Sequence, residues 1–152
     1  MLRAGDLLVL TGGLGAGKTT FTQGLGRGLG VRSGIISPTF VLVRIHPSLP
    51  DGPNPGGPDL VHVDAYRLES PTEIDDIDLE NTLDSAVTVV EWGAGLVEHL
   101  AESRLEIELQ RGTGVAGADA ALEDDEPRVI RIHAVGPRWA VVDLSALAET
   151  VQ

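Results

Sequence analysis

The chain has 152 residues, 42% hydrophobic and 22% charged, which fits a single domain, residues 1–152, built around one buried core. It has no cysteine, which excludes disulfide frameworks, thiolate nucleophiles and cysteine-bound zinc, and its 3% aromatic content leaves the core to Val, Leu, Ile and Ala. With 23 acidic against 11 basic residues the net charge is −12, which disfavours direct binding of tRNA or DNA, because neutralised phosphates supply most of that affinity.

Along the chain, Leu7 to Leu10 is a continuous apolar run, the pattern of a parallel strand buried on both faces. A glycine-rich loop, Gly12 to Gly17, separates it from a predicted helix over 18–29, with Phe21, Leu25 and Leu29 at fourfold spacing and Gly30 as the stop. Thr39 to Ile45 alternates as a strand would. Residues 47–59 hold five prolines and three glycines and read as a flexible excursion. Leu60 to Asp64 and Val87 to Glu91 are predicted strands that each end in an acid. Between them Pro71 opens a short acidic helix to Asp76. Gly93 to Ala101 reads as a helix, and Leu105 to Leu109 with Val129 to His133 as a final hairpin joined by a disordered connection over 112–127. Residues 139–151 fit a terminal strand or helix equally well. The sum is an α/β domain with a central, mostly parallel sheet flanked by helices.

The four histidines (His46, His62, His99, His133) show no metal-ligand spacing and are expected to be satisfied or exposed. No apolar run approaches a bilayer span and the start is too short for a signal peptide, so the expected address is the cytoplasm, with no membrane partner.

The glycine-rich loop is the strongest chemical signal. Gly12, Gly13, Leu14, Gly15, Ala16, Gly17, Lys18 and Thr19, with Thr20 behind them, satisfy the Walker A pattern between a buried strand and a helix. Glycines let the backbone wrap a phosphate, and successive N–H groups at the helix start point at the anion. Lys18 is then expected to reach the β- and γ-phosphates of ATP, and the Thr19 hydroxyl to ligate Mg²⁺. A plain glycine-rich turn is the alternative in a chain with 19 glycines. Against it, Lys18 is the only lysine beside ten arginines. Given one lysine, chance placement of both glycines and the hydroxyl is roughly one in 600. A compact ammonium fits inside such a loop where a planar guanidinium does not.

A phosphate loop needs an acid at a neighbouring strand end to hold Mg²⁺ or its waters, and Asp64 and Glu91 both qualify. Either would otherwise be an ordinary strand-end acid. Ser37-Pro38-Thr39-Phe40 stands where a switch-like loop senses the γ-phosphate, with Ser37 and Thr39 as its hydroxyls; a plain turn is the competing reading.

The strings LGAGKTTFTQGLGRGLGV, SPTFVLV, HVDAYRL and VVEW, in that order, resemble the TsaE family, the P-loop ATPase component of bacterial threonylcarbamoyladenosine synthesis, a tRNA modification beside the anticodon. The likeness covers most of Leu7 to Trp92. It implies that Thr19 and Glu91 bind Mg²⁺, that Asp64 assists hydrolysis and that Thr39 is the switch residue. Tyr66 and Arg67 then look structural or partner-facing, and Trp92 either flanks the nucleotide or belongs to the core. The implied partner is a TsaD–TsaB complex, with tRNA reached only indirectly through it. The chain departs from the family in three ways. It starts almost at the first strand, where family members carry a further segment that contributes to the nucleotide pocket's wall. It has Asp78 where the family often has Gly. The excursions 47–59 and 112–127 are longer than usual.

Two other functions compete with this one. A P-loop small-molecule kinase would need lid arginines, for which only Arg104 and Arg111 stand in a suitable region. A non-hydrolysing, nucleotide-gated binding module would make Asp64 and Glu91 purely structural. A GTPase is disfavoured, because its guanine motif needs a second lysine.

Overall fold

The computed structural model describes residues 1–13, 15–38, 42–111 and 128–148. Six strands form one sheet: β1 (Leu7–Thr11), β2 (Val43–His46), β3 (Asp59–Asp64), β4 (Ala86–Glu91), β5 (Arg104–Arg111) and β6 (Arg128–Val135), in the order β2-β3-β4-β1-β5-β6. The four central strands run parallel, and an antiparallel strand closes each edge. The apolar runs account for this. β1 and β4 are buried along nearly their whole length, as strands covered on both faces must be. β5 alternates, and β6 at the edge is largely exposed.

Helix α1 (Lys18–Leu29) covers the face carrying Leu8, Leu10, Leu60, Val87, Val89 and Ile107. Its buried line is Lys18, Thr22, Gly26 and Leu29, while Phe21 and Leu25 pack only partly. The expected apolar stripe is therefore shifted by one position round the helix. Gly26 explains a glycine in the helix interior: a Cβ there would come within 2.4 Å of Ile35 Cδ1 and 3.2 Å of Val31. Two short helices, α2 (Pro71–Asp75) and α3 (Glu80–Leu83), cover the opposite face through Ile74, Leu79 and Leu83. A capping box at Ser70 and Glu73 starts α2, with Pro71 in its first turn.

Several expectations are corrected. The strand expected over 39–45 is shorter, Val43–His46, because Leu42 takes a left-handed backbone at φ 65° that breaks it; residues 39–41 lie outside the described ones. Gly93 to Ala101 forms turns and one 3₁₀ turn, Glu98–Leu100, in place of a helix. Two glycines in its first three positions, Gly95 at φ 82°, offset its apolar spacing. The described part of the terminal region, to residue 148, is neither strand nor regular helix: it makes 3₁₀ turns at Pro137–Trp139 and Ser145–Leu147. Residues 47–58 carry no helix or strand, yet they are stitched to the end of α1. Val31 bridges Ser48, Leu49 N–H donates to Gly30 O at 3.0 Å, and Asn54 Nδ2 donates to Leu29 O at 3.4 Å. That docking point is about 17 Å along α1 from the phosphate loop. The connection expected over 112–127 lies outside the described residues.

Asp78 sits at φ 58°, the left-handed region that favours glycine, in the turn between α2 and α3. Aspartate tolerates this conformation better than most side chains but still carries some of its steric cost. Asp78→Gly is expected to raise unfolding stability by about 0.5–1 kcal/mol, and Asp78→Val to lower it by at least about 1 kcal/mol. Urea midpoints of the two variants check both signs.

His46 is buried, and its Nδ1 accepts from Arg32 Nε at 3.2 Å. Burial first, then Arg32, His62 and Arg44, depress its pKa to about 4. The unfolded chain therefore binds a proton below the usual value of 6.5 that the folded chain refuses until about 4. This contribution to stability is complete above 6.5 and is lost as pH falls, by up to about 1.4 kcal/mol per pH unit across that window. His46→Asn, which keeps an acceptor for Arg32, should flatten the fall between pH 6.5 and 4 in unfolding curves compared with the native chain.

Candidate functional site

The end of β1 opens into the glycine loop, and α1 begins at Lys18 directly behind it. Gly12 is pressed against the neighbouring strand: a Cβ there would lie 2.6 Å from Leu109 O, and its φ is 149°. Gly17, at φ 104°, makes the sharp entry into α1. Lys18 is buried, and its Nζ donates to Gly12 O at 2.7 Å and Gly13 O at 3.0 Å. The ammonium thus sits within the loop, and it also lies 4.3 Å from the Trp92 ring centroid, a cation–π contact. Burial lowers the Lys18 pKa, while Glu91 and Asp64, in that order, push it back up. Those carboxylates are the charges that keep the buried ammonium ionised. Thr19 is half-buried and Thr20 exposed at the start of α1, Ala16 is buried, Gly15 is exposed, and Leu14 lies outside the described residues.

The two strand-end acids come together. Asp64 and Glu91 are partners in the parallel β3–β4 register, and Leu10 of β1 pairs with Glu91 on its other side. Both carboxylates are buried, 4% and 3% exposed, so they are built into the site and are not solvated strand ends. Asp64 Oδ1 accepts the Tyr66 N–H at 2.9 Å, and its Oδ2 accepts the Ser37 hydroxyl at 3.4 Å. The switch-like segment is therefore tied to the acid through Ser37; Thr39 lies outside the described residues. Glu91 Oε1 is buried with no hydrogen-bond partner among the described residues. Trp92 takes φ 61°, which turns the chain sharply after Glu91, and its ring packs 5.2 Å from that of Tyr66. Trp92 thus lines the site, and Tyr66 is exposed beside it.

His62 comes to the site without a signal in the sequence, and Arg111, expected only as a candidate kinase-lid arginine, meets the loop itself. Arg111, the last residue of β5, donates from Nε to Gly15 O at 3.2 Å and lies across the loop. Its approach depends on β5 pairing with β1, which spacing along the chain does not reveal. Arg104, at the other end of β5, pairs with Glu106 at 2.9 Å. His62 is fully buried with its Nε2 3.6 Å from Glu91 Oε2, and neither ring nitrogen has a hydrogen-bond partner among the described residues. This corrects the expectation of satisfied or exposed histidines. His99 pairs with Asp75 at 2.7 Å, and His133 is exposed. No helix among the described residues is long and apolar enough to cross a membrane.

A mostly parallel sheet with the glycine loop at a central strand, helices on both faces and acids at the ends of neighbouring strands is a mixed α/β fold of the phosphate-loop class. Within that class the sequence comparisons are specific. The chain belongs to the TsaE family: the profile described as "Threonylcarbamoyl adenosine biosynthesis protein TsaE" matches residues 1–117. A protein of Streptomyces coelicolor named "tRNA threonylcarbamoyladenosine biosynthesis protein TsaE" is 53% identical over 149 residues, covering 97% of this chain and 93% of its own. The Bacillus subtilis protein of the same name is 37% identical over 92% of this chain and 77% of its own. The crystal structure of Bacillus subtilis YdiB superposes with a TM-score of 0.60 at 30% identity, covering 90% of this chain and 72% of that one.

Trp92 and Trp139 are the two tryptophans, and Trp139 is buried away from the loop against Arg138. If Lys18 takes a phosphate, its contact with the Trp92 ring changes, so in a Trp139→Phe background added ATP is expected to alter the emission of Trp92. Lys18→Ala should abolish the ATP-dependent part of that change, as read by a fluorescence titration.

Proposed function

We propose that this chain binds Mg²⁺-ATP and hydrolyses it as the ATPase of threonylcarbamoyladenosine formation on tRNA, acting on a TsaD–TsaB complex. The observation that carries this reading is the burial of Lys18, Asp64 and Glu91 together at the mouth of one phosphate loop. The names of the relatives support the tRNA modification, and the site chemistry supports the nucleotide.

Lys18 exchanges the Gly12 and Gly13 carbonyls for the β- and γ-phosphates, a small movement of one ammonium. The N–H groups of the glycine loop and the first turn of α1 hold the phosphate oxygens. The donor set fits Mg²⁺: Thr19 offers a hydroxyl behind the loop, and Glu91 offers a buried carboxylate oxygen that lacks a partner among the described residues. When bound, the ion neutralises charge across the phosphates. Asp64, its two oxygens fixed by Tyr66 and Ser37, orients the attacking water, and Ser37 couples that acid to the switch-like segment.

Lys18 supplies one charge at the γ-phosphate, and hydrolysis calls for more charge stabilisation there. Arg111 reaches the Gly15 carbonyl of the phosphate loop, while Arg104 pairs with Glu106 at the opposite end of β5, so the two do not form a shared lid. We assign that stabilisation to closure of the partner complex over Ser37 to Thr39, and contact with tRNA to the partner, given the net charge of −12. The cytoplasm is the compartment in which such a complex meets tRNA.

Turnover by the isolated chain is expected to be slow and to rise at least about tenfold with TsaD–TsaB and tRNA. Lys18→Ala should lose activity altogether. Glu91→Ala should still bind ATP but lose metal-dependent turnover, and Asp64→Ala should keep nucleotide affinity while losing roughly 100-fold or more in rate. An isolated chain already as fast as the complex would favour a stand-alone ATPase or kinase. Unchanged function in Asp64→Ala would favour a non-hydrolysing module.

A further inference from the structure

A neutral or charged imidazole in a protein core is costly unless its nitrogens are paired, on the order of 1–3 kcal/mol for an orphaned polar group. His62 is 0% exposed, sits in the middle of β3, and has no hydrogen-bond partner for either ring nitrogen among the described residues. An aliphatic side chain of similar volume would suit the apolar surroundings that Leu60, Val87 and Val89 provide on the same face. The ring is not randomly placed. His62 stands opposite Val89 in the β3–β4 register, two positions before Glu91 on the same face, and its Nε2 points to Glu91 Oε2 at 3.6 Å. On its other side the neighbouring ring is His46, 6.4 Å away between centroids, whose Nδ1 is already engaged by Arg32.

A ring nitrogen that faces a carboxylate at this distance must carry hydrogen, because two sets of lone pairs would repel. The separation exceeds hydrogen-bond length by less than 1 Å. Rotation of the Glu91 carboxylate about its own terminal torsion, which is broad, would shorten it. Such a bond would fix the direction in which the carboxylate leaves the end of β4.

We propose that His62 is the positioning residue of Glu91: its Nε2–H steadies the carboxylate so that it keeps one direction toward the nucleotide-bound metal. The proposal rests on the reading of Glu91 as the metal's acid. Hydrogen bonds to metal-binding carboxylates are a recurrent means of setting ligand direction, and their loss costs on the order of 10-fold to 100-fold in metal affinity.

Long-range ¹H–¹⁵N spectra of the native full-length chain test the contact itself. They should show His62 with hydrogen on Nε2, and that nitrogen should shift in Glu91→Gln. A bare Nε2 overturns the proposal. The consequence is read by titrating Mg²⁺ against the chain and a fluorescent, non-hydrolysable ATP analogue. His62→Leu should need on the order of tenfold more Mg²⁺ for its half-maximal effect, with metal-free nucleotide affinity unchanged within about twofold. His62→Gln, whose amide can donate from a similar position, should recover most of the loss. A folded His62→Leu chain with the native Mg²⁺ requirement overturns the proposal, as does His62→Gln behaving like His62→Leu. If Glu91→Gln keeps the native Mg²⁺ requirement, the metal role of Glu91 fails instead, while the spectra still report separately on the His62–Glu91 contact.

Discussion

Two carboxylates and one ammonium, far apart in sequence, are buried together at the carboxyl end of the parallel strands, and most of the fold serves to hold them there. Buried charges are tolerated only when paired and oriented, and removal of one partner strands the others. Here the β3–β4 register places Asp64 beside Glu91, β1 supplies the loop next to them, and α1 delivers Lys18 over the top. The trio carries a net negative charge before any phosphate arrives. That imbalance is the electrostatic reason for a divalent cation in the proposed reaction: phosphates added to two acids and one lysine need further positive charge.

The loop is also held from the side opposite the acids. Gly12 packs against the Leu109 carbonyl and Gly15 accepts from Arg111, so β5 braces both limbs of the glycine turn. At the far end of the sheet the chain is latched differently. Arg138 reaches back to the buried Asp6 at 3.0 Å just ahead of β1, and its guanidinium stacks on Trp139. The first strand is therefore fixed at both ends by groups contributed from the second half of the chain.

Much of the scaffold was legible in the sequence because burial writes itself plainly into strands. Leu7 to Leu10, Leu60 to Asp64 and Val87 to Glu91 are apolar on both faces, and the acids that end two of them occupy the site. The phosphate loop was legible for a different reason: its glycines and lysine meet a local steric and charge requirement that needs no long-range information. Where backbone conformation overrides side-chain pattern, the pattern misled. Leu42 and Trp92, both at positive φ without being glycine, mark bends that alternation cannot show, and the two glycines near Gly93 outweighed the apolar spacing of a helix. His62 was invisible as a site residue, and Arg111 was legible only as a candidate lid arginine, because their place depends on which strands pair and in what register. The shift of α1's buried line onto Thr22 and Gly26 has the same origin, since Ile35 and Val31, not helix propensity, determine which face fits.

The single lysine has a chemical consequence beyond catalysis. A reagent that acylates lysine side chains meets one in this sequence, Lys18, and that amine is buried and bonded to two carbonyls. Lysine acylation therefore reads the phosphate loop and not the surface. A bound nucleotide would shield the amine further, so the mass gained at Lys18 in a brief acylation pulse reports whether the loop is filled.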